Sequence, residues 1–261
     1  MPKAVFKGAL CFGLVTIPIK VYPAVRSKGV QLKTICGKCH SPLQYKRWCS
    51  TCQNEVSWNE VEHGFEISKG KIVPLTKDEL KRIQLKSFKI LEIQSFTEAA
   101  TIDPIYLNTH YYLVPQEGGE RAYSLLRDVL SLTNLVAIGK ITMHTKEHVV
   151  VIRPYGKGLL MTTLFYRDEV GDVEKLEELQ VLPQPGEKER ELAKVLVQQL
   201  VREFRPEEYR DTYRQALMDL IRQKAEGIVS KPREEGVKAP VDLMKALEAS
   251  LAAVRKEKTA E

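Results

Sequence analysis

"LVAIGKITMHTKEHVVVIRPYGKGLLMTTLFY", residues 135–166, decides the fold. Three runs within it, "LVAIGKITM", "EHVVVIRPY" and "GLLMTTLFY", are dense in Val, Ile and Thr and are separated only by "HTK" and "GK". β-Branched runs of this length between short turn segments predict strands. Links so short join only antiparallel neighbours, so the stretch predicts a three-stranded meander. Upstream, Phe6 to Tyr22 is apolar on both faces, rich in Val and Ile, and punctuated by Gly8, Gly13 and Pro18. It predicts one or two further buried strands. Together the two regions predict a β-dominated α+β chain whose strands close into a barrel.

Helices are predicted around this core. "KIVPLTKDELKRI" reads as a strand end and a short helix, with Thr76 as N-cap and Glu79 three residues on, the pattern of a capping box. "ERAYSLLRDVLSLT" predicts a helix with Ala122, Leu125, Leu126, Val129 and Leu130 on one side. After the break "PQPGEK" at Pro183 to Lys188, helices are expected over Glu189 to Phe204 and Pro206 to Glu226. In the second, Tyr209, Tyr213, Leu217, Leu220 and Ile221 share one face, expected to be core or a dimer contact. "GIVSKPREEGVKAP", from Gly227 to Pro240, reads as a charged linker. "VDLMKALEASLAAVRKEK" then spaces Met244, Leu247, Leu251 and Val254 along one helix side, suited either to a partner groove or to this chain's own core.

The 261 residues carry a formal net charge of +6, with 43% hydrophobic and 28% charged residues, an ordinary globular composition. The distribution says more than the total. Met1 to Asn54 contains no Asp or Glu, but carries Lys3, Lys7, Lys20, Arg26, Lys28, Lys33, Lys38, Lys46 and Arg47. A region of one sign on this scale attracts polyanions, and nucleic-acid phosphates are the expected partner. The apolar run from Gly8 to Ile19 is broken by Pro18, is too short to span a bilayer, and lacks a small-residue cleavage site. A cytoplasmic protein with reduced thiols is expected.

"ICGKCHSPLQYKRWCSTCQ", residues 35–53, holds Cys36, Cys39, Cys49 and Cys52 as two Cys-x-x-Cys pairs. Two such turns supply the four thiolates of a closed tetrahedral site, and structural Zn²⁺ is expected, with iron in the same cage as the alternative. Haem attachment at Cys36-Gly37-Lys38-Cys39-His40 would leave Cys49 and Cys52 unexplained. His40 is expected beside the site or facing solvent. Cys11, in the apolar run, reads as an ordinary buried thiol. A staple of this kind orders a limb that has little apolar core of its own. There is no P-loop, GxGxxG, HExxH or nucleophile elbow, and no enzyme is expected.

The chain resembles the bacterial Ku family, the DNA-end-binding proteins of non-homologous end joining and double-strand break repair. The blocks that carry the resemblance are "KGALCFGLVTIPIKVYPA", "YKRWCSTCQNEVSWNEVEHGFE", "AIGKITMHTKEHVVVIRPYGKGLLMTTLFYRDEV", "PEEYRDTYRQALMDLIRQKAEG" and "VDLMKALEASL". It implies a β-barrel core with an extended bridge arm in a ring-shaped homodimer that DNA ends thread. It implies sequence-independent contacts to sugar and phosphate, and recruitment of the ATP-dependent DNA ligase D through a short C-terminal segment. Within the family the four cysteines mark a subset.

On that basis, residues 1–185 are expected to form the core and arm with a knuckle at 36–52. Residues 186–227 form a helical arm, 228–240 a linker and 241–261 the partner segment. Arg26, Lys28, Lys33, Lys46, Arg47, Lys69 and Lys71, supported by Lys140 and Lys146, are the expected phosphate contacts. Val241, Met244, Leu247 and Leu251 are the expected ligase contacts. The alternative reading is a zinc-ribbon RNA-binding or transcription-associated module.

Overall fold

The computed structural model describes residues 3–26, 28–82, 89–143, 146–227 and 243–258. The chain divides into two units: Met1–Lys28 with Leu32–Gly171, and Gly29–Gln31 with Asp172–Glu261.

The first unit is built on strands β1 (Phe6–Phe12) and β2 (Val15–Pro23), the small hairpins β3 (Trp48–Cys49) with β4 (Asn54–Glu55) and β5 (His63–Ser68) with β6 (Lys71–Leu75), helix α1 (Lys77–Arg82), strands β7 (Ile90–Glu98) and β8 (Leu107–Pro115), helix α2 (Glu120–Thr133), and strands β9 (Leu135–Met143), β10 (Lys146–Tyr155) and β11 (Gly158–Leu164). Seven strands close a barrel in the order β1-β2-β8-β11-β10-β9-β7. The predicted meander forms its β9-β10-β11 wall, with Val150 opposite Gly139 and Ile152 opposite Met161. The barrel closes through a parallel pairing, Leu10 opposite Leu91. Glycines on both flanks admit β7: a Cβ on Gly8 of β1 would collide with the Lys89 carbonyl just before it, and one on Gly139 of β9 with the Glu92 carbonyl.

Inward residues alternate along each strand, as a pleated wall requires. Ile17, Ile19 and Val21 of β2, Ala137, Ile141 and Met143 of β9, and Leu159 and Met161 of β11 fill one core. Helix α2 joins it through Tyr123, Leu126 and Leu130. Of the apolar side expected on this helix, Leu126 and Leu130 are buried, while Leu125 and Val129 are exposed. The helix is rotated by the Tyr123 hydroxyl, which donates to the Leu113 carbonyl at 2.7 Å and accepts from the Leu159 amide at 2.7 Å. A count of apolar residues alone misses this polar anchor. Asn134, with φ 54°, ends the helix in the left-handed conformation.

The capping box before α1 forms as expected: the Glu79 carboxylate accepts from the Thr76 amide at 2.8 Å, and the Thr76 hydroxyl accepts from the Glu79 amide at 3.2 Å.

The second unit carries α3 (Glu177–Gln180), α4 (Glu187–Leu200), α5 (Thr212–Ala225) and α6 (Leu243–Lys258). Helix α4 begins two residues before its expected start and ends at Leu200 instead of Phe204. Pro206 opens only a 3₁₀ turn to Glu208, and α5 starts anew at Thr212, where the Asp211 carboxylate accepts from the Arg214 amide at 2.8 Å. Helix α6 packs on α4, with Leu251 buried. Among the described residues no helix is long and apolar enough to cross a membrane.

Candidate nucleic-acid interface

Between β2 and β7 the chain leaves the barrel as a limb of short hairpins, and almost every side chain on it is exposed. The limb holds two knuckles of the same design. In the first, an Ile35–Pro42 bridge closes a turn in which the His40 amide donates to the Cys36 carbonyl at 2.8 Å. In the second, β3 and β4 close a turn in which the Cys52 amide donates to the Cys49 sulfur at 3.5 Å. The residue after each second cysteine is left-handed, His40 at φ 57° and Gln53 at φ 51°. Hydrogen bonds from Ser41, backbone first, hold the Cys39 thiol below its ordinary pKa, and those from the Cys52 and Thr51 amides do the same for Cys49. The Cys52 thiol is raised, chiefly by its hydrogen bond with Cys49.

Each turn therefore has the form and the thiol chemistry of half a tetrahedral site. Among the described residues no three His, Cys, Asp or Glu side chains gather closely enough to hold a metal. Cys11 is half-buried in β1, its sulfur 3.7 Å from the Thr16 hydroxyl.

The expected phosphate contacts fall into four groups. Arg26, Lys28 and Lys33 are exposed along the outgoing limb. Lys69 and Lys71 are exposed on either side of Gly70, whose φ of +83° makes the tip of the β5–β6 hairpin. Lys146 is exposed at the start of β10. The remaining three are already engaged. Lys46 pairs with Glu55 at 2.8 Å, which raises its pKa, and the Arg47 guanidinium lies 3.8 Å from the centroid of Trp58. Lys140 pairs with Glu147 at 3.0 Å, and that hydrogen bond raises its pKa in turn. These engaged cations offer less free charge to a polyanion than the exposed ones.

Reading by cation clusters overlooks one pair. Lys7 and Lys20 stand directly opposite each other across the β1–β2 ladder. Like charges so placed destabilise a sheet, unless an anion bridges them. The sequence signal was present in "FKG" and "IKV", where a cation interrupts each apolar strand. Its pairing required the register.

Each unit also exposes apolar side chains. Phe65, Ile67 and Val73 are exposed on the β5–β6 hairpin, and Tyr209 and Tyr213 are exposed at and before α5. The expected core role of that tyrosine face is thus corrected within one protomer; Asp211 breaks the predicted helix, so the two tyrosines lie on either side of a cap. Of the expected ligase contacts, Leu251 is buried and Met244 and Leu247 are half-buried in α6. Val241 lies outside the described residues, as does the linker from 228 to 240.

Residues 11–195 match the family model described as the Ku70/Ku80 beta-barrel domain. Several curated proteins, each named non-homologous end joining protein Ku, align with nearly the whole chain. That of Heliobacterium modesticaldum is 36% identical over 99% of this chain and 95% of its own length. That of Archaeoglobus fulgidus is 40% identical over 97% of this chain and 100% of its own. That of Bacillus subtilis is 35% identical over 96% of this chain and 82% of its own.

Proposed function

The chain belongs to the Ku family, and from that premise we propose that it binds the ends of double-stranded DNA in non-homologous end joining, as a ring-shaped homodimer that grips sugar and phosphate without reading bases. The observation that carries the reading is an exposed limb, rich in cations and without an acidic residue before Glu55, rooted in a closed barrel of this family. Such contacts fix position on a duplex and carry no sequence information. Arg26, Lys28, Lys33, Lys69, Lys71 and Lys146 are the free charges for this role, and Lys7 with Lys20 adds a clamp on the barrel wall. The protein acts as a binding factor in the cytoplasm, not as an enzyme.

The homodimer would cover the exposed apolar residues of the β5–β6 hairpin and of the α5 region. Recruitment of the ATP-dependent DNA ligase D falls to residues 241–261. Because α6 presents Leu251 to α4, recruitment by that face requires α6 to leave α4. A structural Zn²⁺ held by Cys36, Cys39, Cys49 and Cys52 would draw the two knuckles together and order the limb. The ion supplies cross-linking only; the phosphate contacts remain those of the surrounding Lys and Arg side chains.

The test is a mobility-shift comparison of a linear duplex with a covalently closed circle of the same sequence. A ring that loads over ends shifts the linear molecule and leaves the circle free. Equal binding to both removes the ring.

A further inference from the structure

We propose that the cysteine-bearing limb is also a binding site for unpaired nucleotides, on which the bases of a single-stranded DNA overhang stack against Tyr45, Trp48 and Trp58. The inference rests on the end-binding reading, to which it adds a second class of substrate contact.

Three aromatic side chains stand within fourteen residues of limb and all are open to solvent: Tyr45 is 83% exposed, Trp48 65% and Trp58 72%. Trp58 keeps that exposure with the Arg47 guanidinium 3.8 Å from its ring centroid, so the pair forms a flat cationic platform.

Their neighbours decide the occupant. Lys33, Lys38, Lys46 and Arg47 lie near Tyr45 and Trp48 along the chain; Glu55, opposite Trp48 on the β3–β4 ladder, is neutralised by Lys46 at 2.8 Å, and Glu60 and Glu62 follow Trp58. A second copy of the acid-free stretch before Glu55 would bring like charge against like charge. A polyanion fits, and flat aromatic faces between cations suit nucleobases, since stacking on aromatic rings serves any base sequence. Inside a duplex a paired base offers only its edges, because its faces are taken by neighbours, and a blunt end leaves one open face on its terminal pair alone. The rings therefore need bases that are unpaired, and a DNA end with an overhang supplies them beside the duplex.

Trp48 and Trp58 are the chain's two tryptophans, so tryptophan emission, excited selectively over the ten tyrosines, reports on this limb alone. The probes are a blunt duplex, the same duplex with an oligo-dT overhang, and free oligo-dT and oligo-rU strands. The overhang duplex is expected to quench the emission strongly and to bind about tenfold more tightly than the blunt one. Trp48→Leu and Tyr45→Leu are expected to erase that preference and leave blunt-end affinity unchanged. Trp58→Leu also removes the Arg47 platform, so the other two variants keep the test independent of limb folding. Equal quenching and affinity for blunt and overhang duplexes would overturn the proposal, as would displacement of the overhang by oligo-rU at a lower concentration than by oligo-dT. Failure of the blunt duplex to bind, with quenching by the overhang intact, sinks the end-binding reading and leaves the stacking site standing.

Discussion

Lys7 on β1 and Lys20 on β2 face each other directly across the barrel wall. Directly opposed like charges cost a sheet a fraction of a kcal/mol, about 0.2–1 kcal/mol on the scale of cross-strand pairs. Lys7→Glu turns the repulsion into an attraction. The variant is expected to melt at the same temperature as the parent or slightly above it. It is expected to bind linear duplex more weakly, with the log-log salt slope smaller by about 0.9 for each phosphate that the protein no longer neutralises. Chemical denaturation and salt titration read the two effects separately. Unchanged DNA affinity alongside raised stability would show that the clamp does not touch DNA.

Tyr123 provides the second prediction. Its hydroxyl bonds the Leu113 carbonyl and the Leu159 amide within the core, and the side chain is only 5% exposed. Tyr123→Phe keeps the packing but leaves both backbone groups without a partner, a loss of about 1–3 kcal/mol. Burial raises the phenol's pKa above its ordinary 10.0. The folded state therefore holds this proton more tightly than the unfolded chain. That stabilisation is full below pH 10.0 and fades as pH rises through the folded value. Stability measured from neutral to strongly alkaline pH should fall more steeply for the parent than for Tyr123→Phe. Parallel curves would remove Tyr123 as the alkaline-sensitive group.

These two residues also show what the sequence made legible. The β9-β10-β11 meander was readable because its pairing is local: alternation and two short links fix which strands meet. The parallel seam between β1 and β7 was not, since about eighty residues separate Leu10 from Leu91 and no local pattern encodes it. The same limit governs the candidate interface. The positions of the cations could be read directly. Whether each is free depends on tertiary placement: Lys46, beside β3, reaches Glu55 and Lys140 reaches Glu147 diagonally across β9–β10, whereas Lys7 stands opposite Lys20. The knuckle turns were readable from Cys-x-x-Cys spacing, and their shared left-handed closure was not.

Helix α6 offers a third test. On α4, Leu192 and Leu196 are half-buried one turn apart, and α6 packs on this helix. Leu196→Asp places a charge on that face and should release α6, which hydrogen exchange in residues 243–258 would register. Duplex binding should be unchanged. Stimulation of ligase D should rise, because Met244, Leu247 and Leu251 become available without first leaving α4. A fall in stimulation would mean that ligase D engages α6 in its docked position.

The fourth prediction separates the roles of two adjacent knuckle residues. Cys39 supplies a thiol whose pKa is lowered by Ser41, whereas His40 supplies a left-handed backbone at φ 57°. If the four cysteines hold one Zn²⁺, metal analysis of the purified protein finds a single ion per chain, and Cys39→Ser loses it. His40→Gly keeps it, because glycine adopts that φ without steric cost. His40→Val, with a β-branched side chain forced into the left-handed region, is expected to weaken metal retention against a chelator. The barrel has its own core around Leu10, Ile141 and Met161, so Cys39→Ser should leave the main thermal transition nearly unmoved and open the limb between β2 and β5 to protease. Loss of metal in His40→Gly would make the imidazole a ligand. Full metal and protease resistance in Cys39→Ser would exclude the staple.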